Sequence, residues 1–148
     1  MSITTSMEGQ RRSKIFVDSN YFIALFNSQD SLCKQAEAMS QKLYTEDSSL
    51  VISNLIFLEV VTVLSQKRGR RAGIEAGIHF LTHPLLEFIH IDETLQEDTW
   101  RIFQQIKSKN MSFVDCSIIA VMNTEGIREL LTFDRKDFTP NSRRGAYS

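Results

Sequence analysis

Four short apolar runs recur along this chain with stretches of helical length between them, and that alternation limits the possible folds more than any other feature. The runs are Ile15 to Val17, Leu50 to Ile52, Leu86 to His90 and Glu129 to Thr132. Brief strands separated by helix-length segments form βαβ units, which imply a mostly parallel sheet with right-handed crossovers and helices on both faces. The first run also ends on an acid, because Asp18 follows Val17 directly and is the only charge between Lys14 and Asp30. Open α/β sheets bind their ligands at the carboxyl edge of the strands. Asp18 therefore marks the edge where function is expected.

The intervening segments carry helix signals. A short helix is expected from about Tyr21 to Asn27, and Ser28 or Asp30 can cap the next one, whose Leu32, Ala36, Met39 and Leu43 would face inward. After Ser53-Asn54, Leu55 to Gln66 is apolar on almost every face and has Glu59 as its only charge. The basic corner Lys67-Arg68-Gly69-Arg70-Arg71 breaks this helix, and a further one reaches about Leu81 before His83-Pro84, where proline pushes its predecessor out of helical geometry. Asp92 or Thr94 can open an amphipathic helix carrying Leu95, Trp100, Ile102, Phe103 and Ile106, with Trp100 expected in core or dimer packing. Ser112 opens the last helix, which is apolar through Met122 and ends at Gly126.

With 148 residues and a hydrophobic fraction of 42%, the chain suits one domain with a real core. Residues 1–13 read as a disordered leader and 14–148 as the domain; the tail from Thr139 either adds a short edge strand or frays. A formal charge of −1 confers no general affinity for nucleic acid. Any polyanion would need a local patch, with Lys67, Arg68, Arg70 and Arg71 as the first candidate and Arg143 and Arg144 as the second. Cys33 and Cys116 fit neither a disulfide framework nor zinc-ligand spacing, which suits reduced thiols in a cytoplasmic protein. No stretch approaches the roughly 18 apolar residues of a membrane span. His79 and His83 flank a helix end and His90 closes a strand, so they carry little weight as ligands.

Asp18, Glu59, Asp115 and Asp134 each interrupt or end a segment built for burial. An ionised carboxylate left unpaired in an interior costs several kcal/mol, so buried acids are neutralised, paired or bound to a metal. In a doubly wound sheet Asp18 and Asp134 fall at strand ends, while Glu59 and Asp115 lie in the first two turns of helices starting at that same edge. All four can face one cleft, where a hard divalent cation such as Mg²⁺ or Mn²⁺ is the natural counter-charge. Each acid also has a plainer role. Asp18 can cap a helix, Asp115 can close a capping box with Ser112, Glu59 can join a buried ion pair, and Asp134 can be a turn residue.

Four blocks of the chain resemble the PIN-domain family, and most of all the VapC-type toxins of bacterial toxin–antitoxin pairs. They are Phe16-Val17-Asp18-Ser19-Asn20, Ser53-Asn54-Leu55 leading to Glu59, Met111 through Ala120 around Asp115, and Leu131-Thr132-Phe133-Asp134-Arg135-Lys136-Asp137-Phe138. The resemblance implies a three-layer α/β/α domain and a metal-dependent ribonuclease with Asp18, Glu59, Asp115 and Asp134 as its catalytic quartet. Asp18, Asp115 and Asp134 would hold Mg²⁺, or Mn²⁺, with Glu59 binding a second ion or taking the proton of the attacking water. Ser19, Asn20 and Ser112 would orient those groups, and Asp137 is a weaker substitute for Asp134, because the family's Thr-x-Asp pattern falls on Thr132 and Asp134. The same resemblance implies products with a 5′-phosphate and a 3′-hydroxyl, a cognate antitoxin whose arginine can enter the cleft, and a homodimer. The chain departs from the pattern in its longer leader and in ending soon after the fourth strand, so that the fifth strand would be short or absent. Two other readings compete: a non-catalytic metal- or protein-binding module of the same shape, and a phospho-aspartate receiver.

Overall fold

The computed structural model describes residues 13–134 and the strand 143–146. Apart from Ser13 the expected leader lies outside the described residues, as does Asp137, and of Arg143 and Arg144 only the strand backbone is described.

Strand β1 (Lys14–Val17) lies at the centre of the sheet. It pairs with β2 (Ser49–Ser53) on one side and β4 (Glu129–Thr132) on the other, while β3 (Leu86–Ile89) extends the sheet beyond β2 and β5 (Arg143–Ala146) extends it beyond β4. Every pairing is parallel. A strand flanked on both sides and covered on both faces must be apolar throughout, and Ile15, Phe16 and Val17 are all buried. The tail thus supplies a short fifth strand. The order β3-β2-β1-β4-β5 places β1 beside β4, whereas a receiver has β1 beside the third strand, so the receiver reading fails on topology.

Six helices occupy the described residues: α1 (Ser19–Phe26), α2 (Cys33–Glu46), α3 (Asn54–Arg68), α4 (Arg70–Thr82), α5 (Glu93–Gln105) and α6 (Phe113–Glu125). From β1 the chain steps to β2 and then β3 in one direction, so right-handed crossovers put α1 to α4 on one face. The return from β3 across to β4 puts α5 and α6 on the other. The packing agrees, with α1 against α2 and α3, α3 against α4, and α5 against α6. This is the expected three-layer α/β/α arrangement.

Local chemistry fixes the boundaries. The Asp30 carboxylate accepts from Leu32 N–H at 2.9 Å, so α2 starts one residue after Leu32, and Cys33, Ala36, Met39 and Leu43 form its buried stripe. Asp92 caps α5 through Leu95 N–H at 2.9 Å. Between α3 and α4 the chain reverses at Gly69, whose φ of +93° is one that side chains rarely adopt. The two helices then approach closely at Gly73, where an added Cβ would meet Ser65 Oγ at 2.0 Å and Val61 O at 3.0 Å.

Of the two alternatives for Trp100, core or dimer packing, the structure removes the core. Leu95 and Thr99 are its buried residues, while Trp100 and Phe103 are 52% and 38% exposed, their rings stacked 6.1 Å apart. Thr99 enters the apolar stripe because its hydroxyl donates to Leu95 O at 2.7 Å, which removes the cost of burying it. That leaves Trp100 outside the core.

Candidate active site

Asp18 is placed by the sheet itself. Its N–H donates to Leu131 O at 2.9 Å as the last rung between β1 and β4, and the next residue opens α1. This is the point where crossovers leave the sheet in opposite directions, the position at which open α/β folds bind ligands. The carboxyl group is 5% exposed. Its Oδ1 accepts from Ser19 N–H at 2.7 Å and its Oδ2 from the Thr132 hydroxyl at 2.9 Å.

The other acids arrive on helix starts and a strand end. Ser53 caps α3 by accepting from Ile56 N–H at 3.3 Å, and Asn54 Oδ1 holds Ile91 N–H at 2.7 Å, which ties the exit of β3 to the same edge. Glu59 then falls in the second turn of α3, where its Oε1 accepts a short hydrogen bond from the Ser19 hydroxyl. Asp115 is the third residue of α6 and completes a capping box: Asp115 N–H donates to Ser112 Oγ at 3.1 Å and Ser112 N–H to Asp115 Oδ2 at 2.9 Å. Asp115 serves as a cap while 5% exposed, and its charge acts on Asp18. Asp134 follows β4 and enters the cluster through its backbone, with its N–H donating to Thr132 Oγ1 at 3.0 Å.

The structure brings the charges of Asp115 and Glu59 within electrostatic range of Asp18, with Asp134 tied to the same edge through Thr132. Ser19, Asn20 and Ser112 all bond within the cluster. Thr132 was not among the expected site residues, although the resemblance set its Thr-x-Asp pattern on Thr132 and Asp134. The only signal was its place two before Asp134.

The sequence profile of the PIN domain family matches residues 15–139, and so spans every one of these elements up to the segment after β4. The chain belongs to the PIN domain family. This PIN domain protein is 29% identical over 121 residues, 81% of its own length and 88% of the relative's, to the 23S rRNA-specific endonuclease VapC20 of Mycobacterium tuberculosis. The crystal structure of VapC20, described as a Sarcin-Ricin loop cleaving toxin, aligns with a TM-score of 0.72 at 28% identity, covering 81% of this chain and 89% of that one. A toxin–antitoxin complex from Klebsiella pneumoniae shares the fold, with a TM-score of 0.63 at 20% identity over 90% of this chain and 98% of that one.

In the PIN domain protein the donors offered to a ligand at this edge are carboxylate oxygens, the chemistry that suits Mg²⁺ or Mn²⁺. Among the described residues no three such side chains are already gathered at metal-binding distance. Like charges without a counter-ion spread apart, so the donor set fits a hard cation in kind while a closed cage is not preformed.

Burial is the main reason that the Asp18 carboxyl is pushed up from 3.8 to about 6. The Thr132 and Ser19 hydrogen bonds oppose the shift, and the charges of Asp115 and Glu59 add to it. A folded-state value above the ordinary one means that the folded protein binds the proton more tightly. The stabilisation is complete below about 3.8 and is lost as pH rises through about 6. In EDTA, lowering the pH from 7 to 5 should therefore raise the melting temperature, with roughly 1 kcal/mol available from this group over that range. The check is a pair of melting curves for wild type and Asp18→Asn across that range. An equal pH response in both would remove Asp18 as the source.

The basic corner lies elsewhere. Lys67 and Arg68 end the 15-residue helix α3, about 22 Å from its start at the acidic edge. Arg71 is committed to Glu75 at 3.1 Å.

Proposed function

We propose that this protein is a Mg²⁺- or Mn²⁺-dependent endoribonuclease, the toxin of a type II toxin–antitoxin pair, acting in the cytoplasm. The observation that carries the reading is the burial of Asp18 within range of the Asp115 and Glu59 charges at the switch point of a PIN sheet. The likeness to an rRNA-specific endonuclease along 81% of the chain supports RNA as the substrate.

In this reading Asp18, Asp115 and Asp134 hold the cation, and Glu59 holds a second one or accepts the proton of the attacking water at its carboxylate. When bound, such an ion supplies Lewis acidity at the scissile phosphate and an activated water. The chain's own part is placement. Ser19 Oγ fixes Glu59 Oε1, the Ser112 backbone fixes Asp115 Oδ2, and Ser19 N–H with the Thr132 hydroxyl fixes Asp18. The products carry a 5′-phosphate and a 3′-hydroxyl. Arg68, Arg70 and Arg71 touch RNA only several nucleotides from the cut, given the length of α3 between them and the acids. A cognate antitoxin is the protein partner, in line with the toxin–antitoxin complex that shares the fold. A second copy of the chain is the other partner, and the exposed Trp100–Phe103 stack offers it an apolar contact.

Incubating the purified protein with 23S rRNA should yield discrete fragments in Mn²⁺ and none in EDTA, with ends that ligate as 5′-phosphates. Cleavage that persists in EDTA, or that leaves 2′,3′-cyclic phosphates, would overturn the assignment. The non-catalytic alternative draws on the lack of gathered ligands among the described residues; a folded protein that neither binds Mn²⁺ nor cuts RNA would favour it.

A further inference from the structure

An edge that gathers acids repels the polyanion it would have to receive. Asp18, Glu59, Asp115 and Asp134 all belong to that edge, and one divalent ion offsets only two negative charges. The basic corner after α3 does not help, because its distance of about 22 Å is nearly three Debye lengths at physiological salt, each about 8 Å. Positive charge is needed closer to the acids.

The connection from α5 to α6 supplies it. This segment folds on itself, with Met111 N–H donating to Ser108 O at 3.4 Å and Asn110 N–H to Ser108 Oγ at 3.3 Å. It carries Lys107 and Lys109, both exposed, and among the described residues neither has a carboxylate partner. Lys109 stands three residues before Ser112 and so within about 11 Å of it. Ser112 N–H in turn holds Asp115 Oδ2 at 2.9 Å. The first residue of α6 is Phe113, which is half-buried. Its ring meets that of Phe103 on α5 at 67° with centroids 5.7 Å apart, so it is braced from the protein side. Two unpaired cations followed by a braced, partly open ring suit single-stranded nucleic acid, with ammonium groups on phosphates and a π-face under a base.

We infer that residues 107–113 are the RNA-binding element of the acidic edge: Lys107 and Lys109 take phosphates flanking the scissile one, and the Phe113 ring takes a base. The identity of the ligand rests on the nuclease reading. These are the contacts beside the cut, where the arginines beyond α3 do not reach.

The probe is a labelled oligouridylate of about 12 nucleotides, bound to the full chain in EDTA so that nothing is cut, at salt from about 50 to 200 mM. On a single strand, log affinity falls with log salt by about 0.7 for each phosphate neutralised. Lys107→Gln combined with Lys109→Gln should therefore flatten the slope by about 1.4 and weaken binding roughly tenfold at the lowest salt. Phe113→Leu keeps an apolar side chain and loses the π-face. It should weaken binding about fivefold or more at every salt and leave the slope unchanged. In cleavage, both variants should raise KM with kcat little changed.

A wild-type slope in the lysine variant would overturn the inference, as would wild-type affinity in a folded Phe113→Leu protein; if the wild type still cuts RNA, the nuclease reading survives that loss. Binding that depends on both lysines and on Phe113, in a protein that never cuts, would keep the inference and end the nuclease reading. A wild type that does not bind the oligonucleotide even at the lowest salt sinks the inference outright. The lysines are exposed, so their replacement spares the fold and the slope decides even where Phe113→Leu melts early.

Discussion

Replacing Asp18 with asparagine is expected to reduce RNA cleavage by on the order of 10³-fold or more, a loss of about 4 kcal/mol of transition-state stabilisation. Two effects combine. The variant removes the negative charge at a buried point of the acidic edge, where it would face a cation. It also replaces a group that accepts on both oxygens, from Ser19 N–H and from Thr132, with one that accepts on only one. The NH₂ end must then confront a donor, so the side chain turns or the first turn of α1 shifts. The metal-free fold should survive, because the charge removed is one whose burial is costly enough to raise its pKa to about 6. The measurement pairs kcat/KM at saturating Mn²⁺ with a melting curve in EDTA at pH 7. Cleavage within tenfold of wild type by a folded variant would sink the role given to Asp18.

Phe80→Ala should cost about 3–5 kcal/mol of folding stability, the largest loss expected from a single core truncation here. Phe80 is 2% exposed on α4 and meets Phe22 edge-on at 4.7 Å, Phe26 at 5.9 Å and Phe57 at 5.8 Å. Those rings come from α1 and α3, so one side chain joins three helices of the same layer. The cavity left by alanine is walled by rigid rings and cannot easily collapse. Urea unfolding should show a clearly lowered midpoint with an unchanged slope. A loss below about 1 kcal/mol would mean that the layer repacks freely and that the aromatic cluster is not its keystone.

The sheet was legible because a parallel strand buried on both faces has little choice of residue. Ile15 to Val17 and Leu50 to Ile52 could only be central, and both are. Caps were legible for a similar reason: Ser53, Asp92 and Ser112 stand before apolar helical runs and each accepts from its own helix. Trp100 was not legible, since its helix offers two apolar stripes and the inward one is completed by Thr99, a residue that hides its polarity through a bond to Leu95 O. Thr132 was marked only by the Thr-x-Asp pattern it shares with Asp134, and what that pattern leaves unsaid is long-range. Its partners Asn20 and Asp18 lie more than a hundred residues away, beyond the reach of that pattern. The shared location of Asp18, Glu59 and Asp115 could be foreseen from topology. The hydroxyl contacts that orient them could not.

The Ser112–Asp115 capping box also bears on how this cleft should be probed. The carboxylate whose charge acts on Asp18 is at the same time the clasp of the helix that carries it. Alanine at 115 would unfasten that clasp and let the first turn of α6 unravel, so lost activity would report a collapsed wall as readily as a missing ligand. Asparagine can still receive the Ser112 N–H and leaves the wall upright, and only that substitution separates what Asp115 builds from what it does.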